Sequence, residues 1–103
     1  MSMMEKAKLA QKALKLQKEL KRMQIEAEAG DGEVKVTAGL AISQTSMNVE
    51  IREIEISPEA AEDLDRLSEL IAAAVNQANK ELMAEATEKM QEIAGSMNLP
   101  GMG

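Results

Sequence analysis

The spacing of apolar residues changes twice along this 103-residue chain, and that limits the folds open to it. From Met4 to Ala29 the apolar positions follow a 4-3 spacing: Leu9, Ala13, Leu16, Leu20, Met23 and Ala27. That is a heptad seam. The segment has no Gly or Pro, and Ile25 is its only β-branched residue. It is rich in Lys, Leu, Glu, Gln and Ala, the strong helix formers. The pattern predicts a helix over 4–29, stopped by Gly30-Asp31-Gly32.

Residues 33–57 switch to a period of two. Val34, Val36, Ala38, Leu40 and Ile42 alternate with Lys35, Thr37, Gly39 and Ala41. This is a strand with one buried face, and Gly39 is a candidate bend. Ser43-Gln44-Thr45-Ser46 reads as a polar turn, after which Met47, Val49 and Ile51 resume the alternation. Ile54 and Ile56 continue it in the opposite phase, so a β-bulge or a break is expected at Arg52-Glu53. The expectation is an antiparallel sheet of two or three strands.

Ser57-Pro58 opens the last region with an N-cap and a first-turn proline. A short turn ending near Asp63 is expected, with Asp63 capping a longer helix. Leu64, Leu67, Ile71, Ala74, Ala78, Leu82, Ala86, Met90 and Ile93 are spaced as on one helical face. The helical region is placed at 58–94 and a loose tail at 95–103, with Gly95 as the stop. The whole chain reads as one α+β domain, helix–sheet–helix.

The lengths add a constraint. At 1.5 Å per residue the first helix would be about 38 Å long and the last about 45 Å. A compact domain of this size has a radius of gyration of only about 13 Å. Apolar faces that outreach one core call for a partner, and a second copy is the simplest one. The alanines Ala72-Ala73-Ala74 and Ala78 would allow close helix approach at or near such an interface.

Composition removes most chemistry. There is no His, Cys, Trp, Tyr or Phe. The usual general base, a thiolate nucleophile, a Cys-type zinc site and a base-stacking platform are all missing. Ser43, Ser46 and Ser57 have no His to activate them. The Gly-Asp-Gly lies before a strand, the wrong context for a phosphate-cradling loop. Glu59, Glu62, Asp63, Asp65 and Glu69 fit a helix N-terminus better than a metal site. No enzyme, cofactor, metal site or small-molecule substrate is expected. No apolar run approaches the ~18 residues of a membrane span, and the basic opening lacks the apolar core of a signal peptide. A cytoplasmic protein is expected.

Charge is the informative feature. The net charge is −6. Yet residues 1–29 hold seven basic residues (Lys6, Lys8, Lys12, Lys15, Lys18, Lys21 and Arg22) against Glu5, Glu19, Glu26 and Glu28. Lys8, Lys15 and Arg22 are seven apart and share one helical stripe. A projecting line of cations can follow a phosphate backbone. A lysine-rich, solvated helix face has the same composition.

The residues resemble the YbaB/EbfC nucleoid-associated proteins of bacteria. The resemblance lies in KAKLAQKALKLQKELKRMQ, in GDGEVKVTAGL, in EIEISPEAAEDLDRLSELIAAAVNQANK and in TEKMQEIAGSMNLPGMG, in this order over nearly the whole chain. It implies a tweezer-like homodimer that binds double-stranded DNA with little sequence preference and forms part of bacterial chromatin, the nucleoid. Carried over by position, the DNA-binding residues would be Lys8, Lys12, Lys15, Lys18, Lys21 and Arg22 on the first helix, and Lys80 and Lys89 on the last. The region between Val36 and Ser57 looks longer than the family's hairpin, and the last helix is poor in basic residues. The alternative is a dimeric helical scaffold for protein–protein contacts without physiological DNA binding.

Overall fold

The computed structural model describes residues 2–43 and 45–97. Its elements are α1 (Met3–Arg22), β1 (Gln24–Ala29), β2 (Val34–Ile42), β3 (Met47–Ile56), α2 (Pro58–Ala61) and α3 (Leu64–Met97). The expected α+β order of long helix, antiparallel sheet and long helix is present, and the sheet has three strands in the order β1-β2-β3.

The first helix is shorter than the 4–29 expected. It opens on a capping box, with Glu5 N donating to Ser2 Oγ at 3.2 Å and Ser2 N to Glu5 Oε2 at 3.4 Å. It ends at Arg22, where Met23 turns to extended backbone (ψ 135°). Gln24–Ala29 is then strand β1, paired antiparallel with Val34–Gly39. Gln-Ile-Glu-Ala-Glu-Ala alternates with period two, and Ala27, the last expected seam position, faces Val36 in the sheet. Helix-forming residues are here overruled by the free sheet edge beside them. The Gly30-Asp31-Gly32 segment is therefore a hairpin turn and not a helix stop. Its three residues all have positive φ, at 63°, 55° and 87°. Gly30 is required twice over: a Cβ there would sit 2.9 Å from Leu70 Cδ2, besides the left-handed backbone. Arg66 ion-pairs with Glu33 beside this turn. The contact and charge of Glu33 raise the guanidinium above its ordinary pKa.

The phase slip in β3 is a bulge. Thr37 pairs with Glu53 and Ala38 with Ile51, which leaves Arg52 as the extra residue. The bulge returns Ile54 and Ile56 to the face that carries Met47, Val49 and Ile51. Arg52 lies flat over Gly39, donating to Leu40 O and Gln24 Oε1 at 3.3 Å each. A Cβ at Gly39 would fall 2.2 Å from Arg52 Cζ. Gly39 is thus a seat for a guanidinium. In the β2–β3 turn, Ser43 Oγ accepts from Thr45 N and Ser46 N; Gln44 lies outside the described residues.

Ser57 caps α2 through Ala60 N, and Asp63 Oδ1 accepts from Arg66 N at the start of α3. Helix α3 runs on through Gly95 to Met97, past its expected stop. The remainder of the expected loose tail, 98–103, lies outside the described residues. The core joins Leu20, Ala27, Val34, Val36, Ala38 and Leu40 to Ala60, Ala74, Ala78, Leu82 and Ala86. Ala74 and Ala78 are fully buried inside this core, whereas Ala72 and Ala73 are exposed. The buried alanines bring α3 close to the protomer's own sheet. Leu64, at the start of α3, is 72% exposed and outside the apolar face expected for it.

Two features remain open. The molecule measures 63 × 25 × 18 Å, with a radius of gyration of 18.2 Å, because α1 and the end of α3 project from the sheet. In addition, α3 lies over β1 and β2 and scarcely reaches β3. Met47, Ile51, Ile54 and Ile56 are left 36–43% exposed along an unpaired edge strand.

Candidate nucleic-acid interface

The projecting arm is built from α1 and the second half of α3. Leu16 and Met23 pack beside buried Leu20, while Ala86 and Met90 supply the facing side from α3. Lys12, Lys15 and Glu19 border a small groove with Ile93, so α1 runs alongside the last turns of α3. This apolar seam fixes the rotation of α1 and turns its charged faces outward.

All six sequence-predicted cations of α1 are exposed: Lys8, Lys12, Lys15, Lys18, Lys21 and Arg22. Among the described residues none of them has an ion-pair partner. The Lys8–Lys15–Arg22 stripe extends about 21 Å along the helix. Lys21 and Arg22 also complement the negative end of the helix dipole.

The two expected cations of α3 differ from these and from each other. Lys80 is exposed and unpaired among the described residues. The Lys89 Nζ lies 3.9 Å from Glu19 Oε2 of α1 and 3.9 Å from Glu92 Oε2 of its own helix. Lys89 also lines a groove of about 290 Å³ with Met23, Glu85, Glu88 and Glu92. Sequence spacing contains the Lys89–Glu92 pair, three residues apart on one helix. The Glu19–Lys89 contact had no sequence signal, because it depends on how two distant helices pack.

The rest of the surface is acidic. On the sheet face away from the helices, Glu26, Glu28, Glu50, Glu53 and Glu55 are exposed. Against them stand Lys35, paired with Glu28 at 3.7 Å, and Arg52, paired with Glu50 at 3.6 Å. From Lys80 onward α3 carries Glu81, Glu85, Glu88 and Glu92 against Lys80 and Lys89. The arm is cationic on its α1 side alone. Lys8 stands about 18 Å along the helix axis from Leu20, where α1 enters the core. That is about twice the Debye length of 8–10 Å near physiological salt. The sheet carboxylates are therefore largely screened at the outer cations. Such a surface can hold phosphates by charge. Among the described residues no helix is long and apolar enough to cross a membrane.

Residues 1–97 match the YbaB/EbfC DNA-binding family. A nucleoid-associated protein of Thermosynechococcus vestitus is 41% identical over 92 residues, covering 88% of this chain and 74% of the relative. One from Pelotomaculum thermopropionicum is 38% identical over 97 residues, covering 92% and 86%. One from Nostoc is 40% identical over 90 residues, covering 86% and 72%.

Proposed function

The chain belongs to the YbaB/EbfC DNA-binding family, and on that premise we propose that it is a non-enzymatic, cytoplasmic, nucleoid-associated protein that binds double-stranded DNA as a homodimer. The single observation that carries the reading is the row of exposed cations on α1, without ion pairs among the described residues, in a chain whose remaining described surface is acidic. Lys8, Lys12, Lys15, Lys18, Lys21 and Arg22 displace counterions from phosphates, and Lys80 adds a cation on α3. Sequence preference is low, because long flexible cations on a helix flank position a duplex without reading it.

The bare face of β3 supports the dimer. Its edge has no second strand, and four large apolar side chains beside it stay partly in water. An uncovered, ten-residue edge strand is an invitation to pairing. The opposite edge strand, β1, is shorter, and α3 packs on its face. The apolar set on β3 is nearly symmetric about its bulge, so a two-fold copy brings Met47 toward Ile56 and Val49 toward Ile54. Such pairing presents one cationic arm on each side of the axis.

A duplex-binding titration across salt tests the reading, with Lys8→Glu/Lys15→Glu/Arg22→Glu as the reference variant. Binding that weakens steeply with salt and is lost in the variant supports it; equal affinity of the two proteins refutes it. The acidic sheet face favours the alternative of a protein-binding scaffold. A gel shift on long duplex beside a lysate pull-down separates the two.

A further inference from the structure

We infer that Lys89 is a positioning residue that pins α1 to α3, and that the α3 flank beyond Lys80 repels DNA, so that along the arm the duplex lies on α1. The inference rests on the DNA-binding reading above, and it removes Lys89 from the phosphate-contacting set. Three observations carry it. First, Lys89 bridges the two helices, with Glu19 on α1 and Glu92 on α3 both at 3.9 Å. Second, both side chains of this contact are partly covered: Lys89 is 37% and Glu19 33% exposed. Third, the groove it lines also holds Glu85 and Glu88, so the one cation there stands among acidic residues.

A phosphate that approached Lys89 would meet a local net charge of the wrong sign within one Debye length. It would also have to displace two carboxylates already in place. Lys15 differs: it is exposed, has no ion pair among the described residues, and borders its groove with Lys12 beside the single carboxylate of Glu19. The α1 cations are therefore contacts and Lys89 is the pin that sets their angle. Such an exposed bridge couples weakly, by about two- to fivefold in the folding equilibrium. What it contributes is the placement of α1.

The salt slope separates the roles, since each lost phosphate contact lowers it by about 0.9. The probe is a fluorescein-labelled duplex of mixed sequence, titrated with the full chain. Lys89→Gln is expected to leave the slope unchanged, whereas Lys15→Gln lowers it by about 1. A fall of about 1 in Lys89→Gln overturns the inference. Glu85→Gln/Glu88→Gln is expected to tighten binding at low salt, and unchanged or weaker binding overturns the repulsion. Urea unfolding of Glu19→Gln, Lys89→Gln and the double variant measures the pin without DNA. A two- to fivefold coupling is expected, and additivity overturns it. If the wild-type chain binds no duplex, the DNA-binding reading fails, and this cycle still decides whether Lys89 holds the arm.

Discussion

Replacing Ile51 and Ile54 by serine should dissolve the proposed dimer while leaving the protomer folded. Ile51 is 36% exposed and Ile54 41% exposed in the single chain, and both lie beside the free edge of β3. Full burial of an isoleucine side chain contributes about 1.5–3 kcal/mol, so covering the exposed part of each is worth about 1 kcal/mol. A two-fold interface repeats both losses. The four sites together come to about 4 kcal/mol, or roughly a thousandfold in the dimer dissociation constant. Sedimentation equilibrium over a wide concentration range measures that constant directly. Far-UV circular dichroism confirms that the variant keeps its helices and sheet. Met3→Ser is the control: Met3 is 88% exposed, but it stands at the far end of α1. A dissociation constant unchanged by Ile51→Ser/Ile54→Ser would show that β3 is not the interface and that its apolar face is covered in another way.

Two further variants test the fold that aims the arm. Leu82→Ala empties the largest fully buried side chain, at the point where α3 leaves the sheet for α1, and should cost about 2–5 kcal/mol in urea unfolding. Gly39→Ala should displace Arg52 from its seat and cost about 1–2 kcal/mol through two lost hydrogen bonds. Adding Arg52→Ala should then recover part of that loss, whereas strict additivity in the same denaturation series would mean that the two residues do not interact.

The parts of this fold legible in the sequence are those where one period ran unopposed. The alternation of Val34–Ile42, the slip at Arg52 and the caps at Ser57 and Asp63 each have a local physical cause, and each is where the pattern placed it. The sequence misleads where two patterns share the same residues. Ala27 fits both a heptad and an alternating strand, and Gln, Glu and Ala favour helices, so β1 was concealed inside the first helix. A Gly-Asp-Gly between two alternating runs is a hairpin signal once that alternation is seen. Gly95 does not stop the helix: nothing lies within 4 Å of a Cβ placed there, and α3 passes through it.

For the candidate interface, the stripe Lys8–Lys15–Arg22 followed from helical spacing alone. The separate condition of Lys89 did not, because Glu19 is seventy residues away in sequence and meets it only through packing. The role expected of Ala74 and Ala78 changed for a similar reason. Small residues permit close approach, but the sequence does not say to which surface, and here it is the chain's own sheet.

The central claim is that counterion release by α1 drives binding. It is tested most directly by the slope of log affinity against log salt for a mixed-sequence duplex. A dimer carries twelve of the α1 cations named above; if half engage phosphates, the slope is about −5. The same measurement on Lys8→Glu/Lys15→Glu/Arg22→Glu should show binding lost. A wild-type slope near zero, or one that the triple variant leaves in place, contradicts the account.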